Sequence, residues 1–188
     1  MDSEFRRKIF HEIGLLIPLC YTFFDKKDVI FGMSIMVIVF VFMEFLRLRY
    51  NFGNEFIPKV VGKTVRDYEK VDLSAATYFI ISSFFTILLY DKLIAIAAIS
   101  YNSIGDFFSA IIGKNFGKTK YMGDKKSIEG SIACFVSCYI VGLFIFNPLI
   151  AVIGALAATF AEGFLIEVND NLSIPIISGF VLTLVSLF

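Results

Sequence analysis

Residues 29–46 read VIFGMSIMVIVFVFMEFL. One ionisable side chain interrupts this run, Glu44, near its far end. A helix crossing the roughly 30 Å hydrocarbon layer needs about 20 apolar residues, each rising about 1.5 Å. The stretch is therefore built for lipid, and it sets the reading of the rest. Six further apolar runs share its character, at residues 9–24, 73–90, 93–112, 128–146, 149–166 and 172–188. The turns between them are tight: DKKD at 25–28, DK at 91–92 and NP at 147–148. The expected architecture is an all-α membrane bundle of about seven transmembrane helices, forming a single catalytic domain over residues 1–188.

Composition points the same way. The 188-residue chain is 57% hydrophobic and only 18% charged, with 23 Phe and no Trp. A soluble domain of this size has too little interior to hide so much apolar surface. Net charge is zero, so no overall field invites nucleic acid. Cys20, Cys134 and Cys138 lie in apolar runs without the paired spacing of a zinc site, which makes them free thiols. The first run lacks a small-residue cleavage site and reads as a retained helix rather than a removable signal.

Lys and Arg accumulate on the cytoplasmic side of membrane proteins. With seven spans and the N-terminus inside, the inner segments hold Arg6, Arg7, Lys8, Arg47, Arg49, Lys59, Lys63, Arg66, Lys70, Lys114, Lys118, Lys120, Lys125 and Lys126. The outer segments keep only Lys26, Lys27 and Lys92. The expected topology is N-terminus cytoplasmic and C-terminus outside.

The most charged inner loop is GKNFGKTKYMGDKKSIEG, residues 113–130. It is one residue short of a nucleotide-binding P-loop, and an apolar helix precedes it where a buried strand is required. The underlying chemistry still holds: glycines expose backbone N–H groups, lysines bring charge, and a helix opening near Lys126–Ser127 favours anions. Carboxylates inside a membrane domain are costly and mark function. Asp106 lies eight residues before Lys114, about 12 Å along a helix. Asn102, Asp106 and Ser109 share one helix face. Glu129 opens the next helix, as a functional acid or as a helix cap, and Glu162, Asp170 and Asn171 close the sixth run and the loop after it. All fall at the inner end. Glu44 ends the second run and is placed to pair with Arg47. Carboxylates beside a Lys- and Gly-rich loop suggest Mg²⁺ holding a nucleotide phosphate.

Four blocks carry a family resemblance: RKIFHEIGL (7–15), VRDYEKVDLSAATYF (65–79), GDFFSAIIGKNFGKTKYMGDKKSIEGSIACF (105–135) and AEGFLIEVNDNLSIPIISG (161–179). Together they resemble the dolichol kinase, phytol kinase and CTP-dependent diacylglycerol kinase group of membrane enzymes. The resemblance implies phosphoryl transfer from CTP to a lipid alcohol at the cytoplasmic face. It implies active-site roles for Asp106 and for Gly113 and Gly117, with Arg7 and Lys8 helping to bind nucleotide. On that reading Lys114, Lys118, Lys120, Lys126 and Ser127 hold phosphates, and Asp106 and Asp170 bind Mg²⁺ with Glu162. Asp106, Asp170 and Glu129 are the catalytic candidates, and either aspartate could instead be the base. His11, Asn102 and Asn171 contact the lipid. The core block is also similar to phosphatidate cytidylyltransferases, but their His-Gly-Gly and Asp-Arg-x-Asp elements are absent. A small transporter is the third alternative; the chain shows no internal repeat, and its polar groups gather at one side rather than at the midplane.

Overall fold

The computed structural model describes residues 12–50, 72–123, 126–165 and 168–187. Arg7, Lys8 and His11 lie outside them, as do Lys59, Lys63, Arg66, Lys70 and Lys125. A 3₁₀ turn, Glu12–Leu15, leads into α1 (Leu16–Phe23), followed by α2 (Lys26–Tyr50) and α3 (Ala75–Leu89). A long rod follows, made of α4 (Lys92–Ser100), a π-helical segment (Tyr101–Gly105) and α5 (Asp106–Asn115). A two-stranded hairpin, β1 (Lys120–Tyr121) and β2 (Lys126–Ser127), precedes α6 (Ile128–Leu143), α7 (Pro148–Phe164) and α8 (Asp170–Val185).

The architecture is all-helical apart from that hairpin. Helix starts carry short polar caps: Ser74 accepts from Thr77 N–H, Ser127 from Gly130 N–H and Asn147 from Ile150 N–H, with Pro148 as the first residue of α7. These side chains satisfy amides that have no partner within the helix. Ala151, Ala155, Ala158 and Ala161 form a fully buried stripe on α7. Small side chains let backbones approach closely, and α7 packs against both α6 and α8.

Three features depart from the sequence reading. The run at 93–112 is interrupted by the π segment rather than forming one uninterrupted α-helix. The lysine loop folds partly into an antiparallel hairpin that pairs Lys120 with Ser127 and Tyr121 with Lys126. In addition, α8 starts at Asp170, so this residue belongs to the helix's first turn rather than to the preceding loop.

The helices alternate between two ends. At one end Lys26 Nζ donates to Tyr90 O at 2.8 Å and Lys92 Nζ to Phe24 O at 3.0 Å, tying two tight turns together. The other end gathers the ends of α2, α5 and α7, the starts of α3, α6 and α8, and the hairpin. Among the described residues two helices are long and apolar enough to cross a membrane, Lys26–Tyr50 and Lys92–Asn115; five shorter apolar helices of 10–17 residues accompany them. α2 buries only Met33 and Glu44, leaving Phe31, Ile38 and Phe42 exposed.

Candidate active site

The hairpin end holds a buried charge cluster. Lys126 stands on β2, and its Nζ donates to Glu162 Oε1 at 2.5 Å and to Asp170 Oδ2 at 3.0 Å. Glu162, near the end of α7, has a side chain only 2% exposed. Its Oε1 also accepts from Ser109 Oγ at 2.8 Å, while Oε2 is buried with no partner among the described residues. Asp170 lies beside the Lys126 ammonium, with the Asp106 and Glu162 carboxylates acting on it as like charges. Burial alone would lower Lys126, yet Asp170 and Glu162 more than reverse it and hold its ammonium above the usual range. Glu162 and Asp170 thus share one ammonium, and Asp106 acts on Asp170, so that α5, α7, α8 and the hairpin all contribute to the cluster.

Beneath the cluster lies a neutral polar layer. Asn102 Nδ2 reaches Asn171 O and Oδ1, each at 3.4 Å. Asn171 Nδ2 donates to Ala75 O at 3.1 Å, and Ser82 Oγ donates to Asn171 O at 2.5 Å. Asn171 therefore ties α8 to the start of α3 and to the π segment.

The rest of the loop is arranged around Ser127. A Cβ on Gly117 would stand 2.2 Å from Gly113 O and 2.6 Å from Ser127 Oγ, and one on Gly130 would stand 2.9 Å from Ser109 O. These glycines let α5, the loop and α6 close on one another. Lys120 Nζ donates to Gly113 O at 3.1 Å. Glu129 accepts from Thr119 N–H through both oxygens, at 3.2 and 3.3 Å; it fastens the loop and stays apart from the three clustered carboxylates. Lys114, Lys118 and Lys120 are exposed on the same end.

Asp106, Lys126, Glu162 and Asp170 are thus brought together, with Asn102 and Asn171 in the layer below. Glu44 pairs with Arg47 and accepts from Ser74 N–H and Thr77 Oγ1, which ties α2 to α3. Sequence reasoning missed Ser82, Ser103 and Ser173. Ser103 and Ser173 have buried hydroxyls with no partner among the described residues. Their one visible signal was a hydroxyl beside an amide or an acid within an apolar run.

Fold and site together define an all-helical protein with largely apolar outer faces and an ionisable centre at one end. Three curated relatives cover almost the whole chain. It is 25% identical to CTP-dependent diacylglycerol kinase 1 of Saccharomyces cerevisiae, over 94% of this chain and 71% of that protein. It is 28% identical to dolichol kinase sec59 of Schizosaccharomyces pombe, over 92% of this chain and 38% of that protein. It is also 28% identical to a probable chloroplastic phytol kinase of Triticum aestivum, over 94% of this chain and 65% of that protein. No family model matches the sequence, and no solved structure matches it. Over nearly its whole length the chain is thus similar to the group of dolichol, phytol and CTP-dependent diacylglycerol kinases.

Proposed function

We propose that the chain is a membrane lipid kinase. It transfers the terminal phosphate of CTP, or of another nucleoside triphosphate, to the hydroxyl of a lipid alcohol at the cytoplasmic face. The observation that carries this reading is the cluster in which Lys126 pairs with the buried Glu162 and with Asp170, while Asp106 acts on Asp170. Glu162 and Asp170 share one ammonium, and Asp106 adds a third carboxylate close enough to act on Asp170; an acid-rich site of this kind suits a divalent cation.

Mg²⁺ suits the donor set. It takes one or two carboxylates and fills its shell with phosphate oxygens and water. Among the described residues no group of three or more Asp, Glu, His or Cys is placed to hold a metal ion by itself, so phosphate oxygens and water would have to complete the shell. Asp106 and Asp170 would hold it, with the partnerless Glu162 Oε2 at hand. Bound there, the ion would neutralise charge on the transferring phosphoryl oxygens. Phosphoryl transfer rests chiefly on such positioning and charge stabilisation. The lipid oxygen attacks the terminal phosphorus, the bond to the nucleoside diphosphate breaks, and the hydroxyl proton passes to Asp106 or Asp170. Lys114, Lys118 and Lys120, with Arg7 and Lys8, supply cations for the remaining phosphate charge. Lys126 keeps Glu162 and Asp170 in place.

The same proposal has seven membrane crossings with the N-terminus inside. The shorter helices present apolar outer faces, among them Ile132, Ile140, Phe160 and Phe180. A helix of 16 residues spans about 24 Å, a mismatch that local bilayer thinning absorbs. The purified protein with γ-labelled CTP and a lipid alcohol should yield labelled lipid and CDP, and α-labelled CTP should leave the lipid unlabelled. Label reaching lipid only from the α position, with pyrophosphate released, would replace the kinase by a cytidylyltransferase.

A further inference from the structure

The layer below the carboxylates holds acceptor and donor groups that the protein leaves unused. The orientation of Asn102 follows from its neighbours. Ala75 O can only accept, so Asn171 turns Nδ2 towards it and Oδ1 towards Asn102. Asn102 must then offer Nδ2 to Asn171, and its Oδ1 faces away. That oxygen is buried without a partner among the described residues, in a side chain 0% exposed. Ser173, 5% exposed, has an equally partnerless Oγ. A buried polar atom left unpaired costs about 1–3 kcal/mol, so two in one layer point to a ligand group.

Their depth says which group. Asn102 lies four residues before Asp106, and Ser173 three residues after Asp170. The rod ends at the hairpin end of the bundle and α8 begins there. Both residues therefore sit about one turn, roughly 5 Å, deeper than the aspartates and on the same helix faces. The partners around Asn102 are neutral: Asn171, its backbone carbonyl and, through them, Ser82 and Ala75. The charged groups lie above, and three of the four are anionic.

We propose that Asn102 Oδ1 and Ser173 Oγ form a hydroxyl-binding subsite that takes the neutral alcohol head of the acceptor lipid and excludes a lipid phosphate. This rests on the lipid-kinase reading. In the nucleotide-free complex the alcohol donates its proton to Asn102 Oδ1 and accepts from Ser173 Oγ, which holds its oxygen beneath the carboxylate layer; when that oxygen attacks the phosphorus, the O–H turns from Asn102 to Asp106 or Asp170. A phosphate monoester brings only negative charge to an amide oxygen lying under three carboxylates, and it is rejected.

The test is equilibrium binding in nanodiscs without nucleotide, using the full chain and tritiated geranylgeraniol or dioleoylglycerol as probes. Ser173→Ala should keep the wild-type melting temperature, because it removes a hydroxyl with no protein partner, and should weaken binding of at least one of these alcohols about tenfold, the worth of one hydrogen bond. Asn102→Leu should weaken it further, and both variants should bind CTP like the wild type. Dioleoyl phosphatidate should not displace the alcohol. Wild-type alcohol affinity in Ser173→Ala would reduce the layer to a water site and overturn the proposal. Equal displacement by phosphatidate, or no binding of either alcohol by the wild type, would overturn it too. The kinase reading fails separately, if the wild type labels no lipid alcohol from any γ-labelled nucleoside triphosphate while the binding results stand.

Discussion

Lys126 is where the buried charge is balanced. Its ammonium joins a carboxylate only 2% exposed to another that is 30% exposed. Lys126→Met should therefore cost stability, by about 3–5 kcal/mol, because removing one partner leaves the other buried and uncompensated. Adding Glu162→Gln should restore part of the loss, and thermal melts of the single and double variants would read this directly. If the double variant were no more stable than Lys126→Met, the cost would lie elsewhere.

At the scale of elements, the loop and the rod decide the site. Gly117 lies so close to Gly113 O and Ser127 Oγ that a methyl group has no room. Gly117→Ala should push the hairpin off α5 and lower CTP affinity at least tenfold, while the helices melt nearly as before; unchanged affinity in a nucleotide titration would remove the loop from the site. The helices themselves were legible, since long apolar runs bounded by DKKD, DK and NP leave little else to choose. The hairpin was not. Its turn has positive φ at Met122 and Gly123, and only the glycine announces such a backbone. The π segment was equally hidden, because YNSIG carries no local mark of it. Where it ends the packing is tight: a Cβ on Gly105 would stand 2.8 Å from Cys138 Sγ and 3.1 Å from Cys134 Sγ, so α6 lies directly against the rod there. π turns of this kind often accompany functional sites, and this one carries Asn102 to Asn171. Asp106 and Glu162 were readable as acids inside apolar runs, and Asp170 as an acid in the short loop after one. That Lys126 would join Glu162, 36 residues away, required the packed bundle.

For the whole molecule, the decisive property is which side of the membrane the site faces. Every charged member of the cluster lies at the hairpin end, and the exposed lysines Lys114, Lys118 and Lys120 share it. The opposite end carries the tight turns held by Lys26 and Lys92. Nucleoside triphosphates are cytosolic, and the cation excess on the hairpin end agrees with that side being inside. Impermeant maleimide on intact cells gives the test. Cys20 is exposed and would be replaced by Ser, whereas Cys134 and Cys138 are buried. In that background Asp91→Cys, at an exposed turn position, should label from outside. Lys120→Cys, on the exposed hairpin, should label only after the membrane is opened. The reverse pattern would put the carboxylate cluster on the side that holds no nucleotide, and a CTP-dependent reaction could then not occur at it, however well the side chains are arranged.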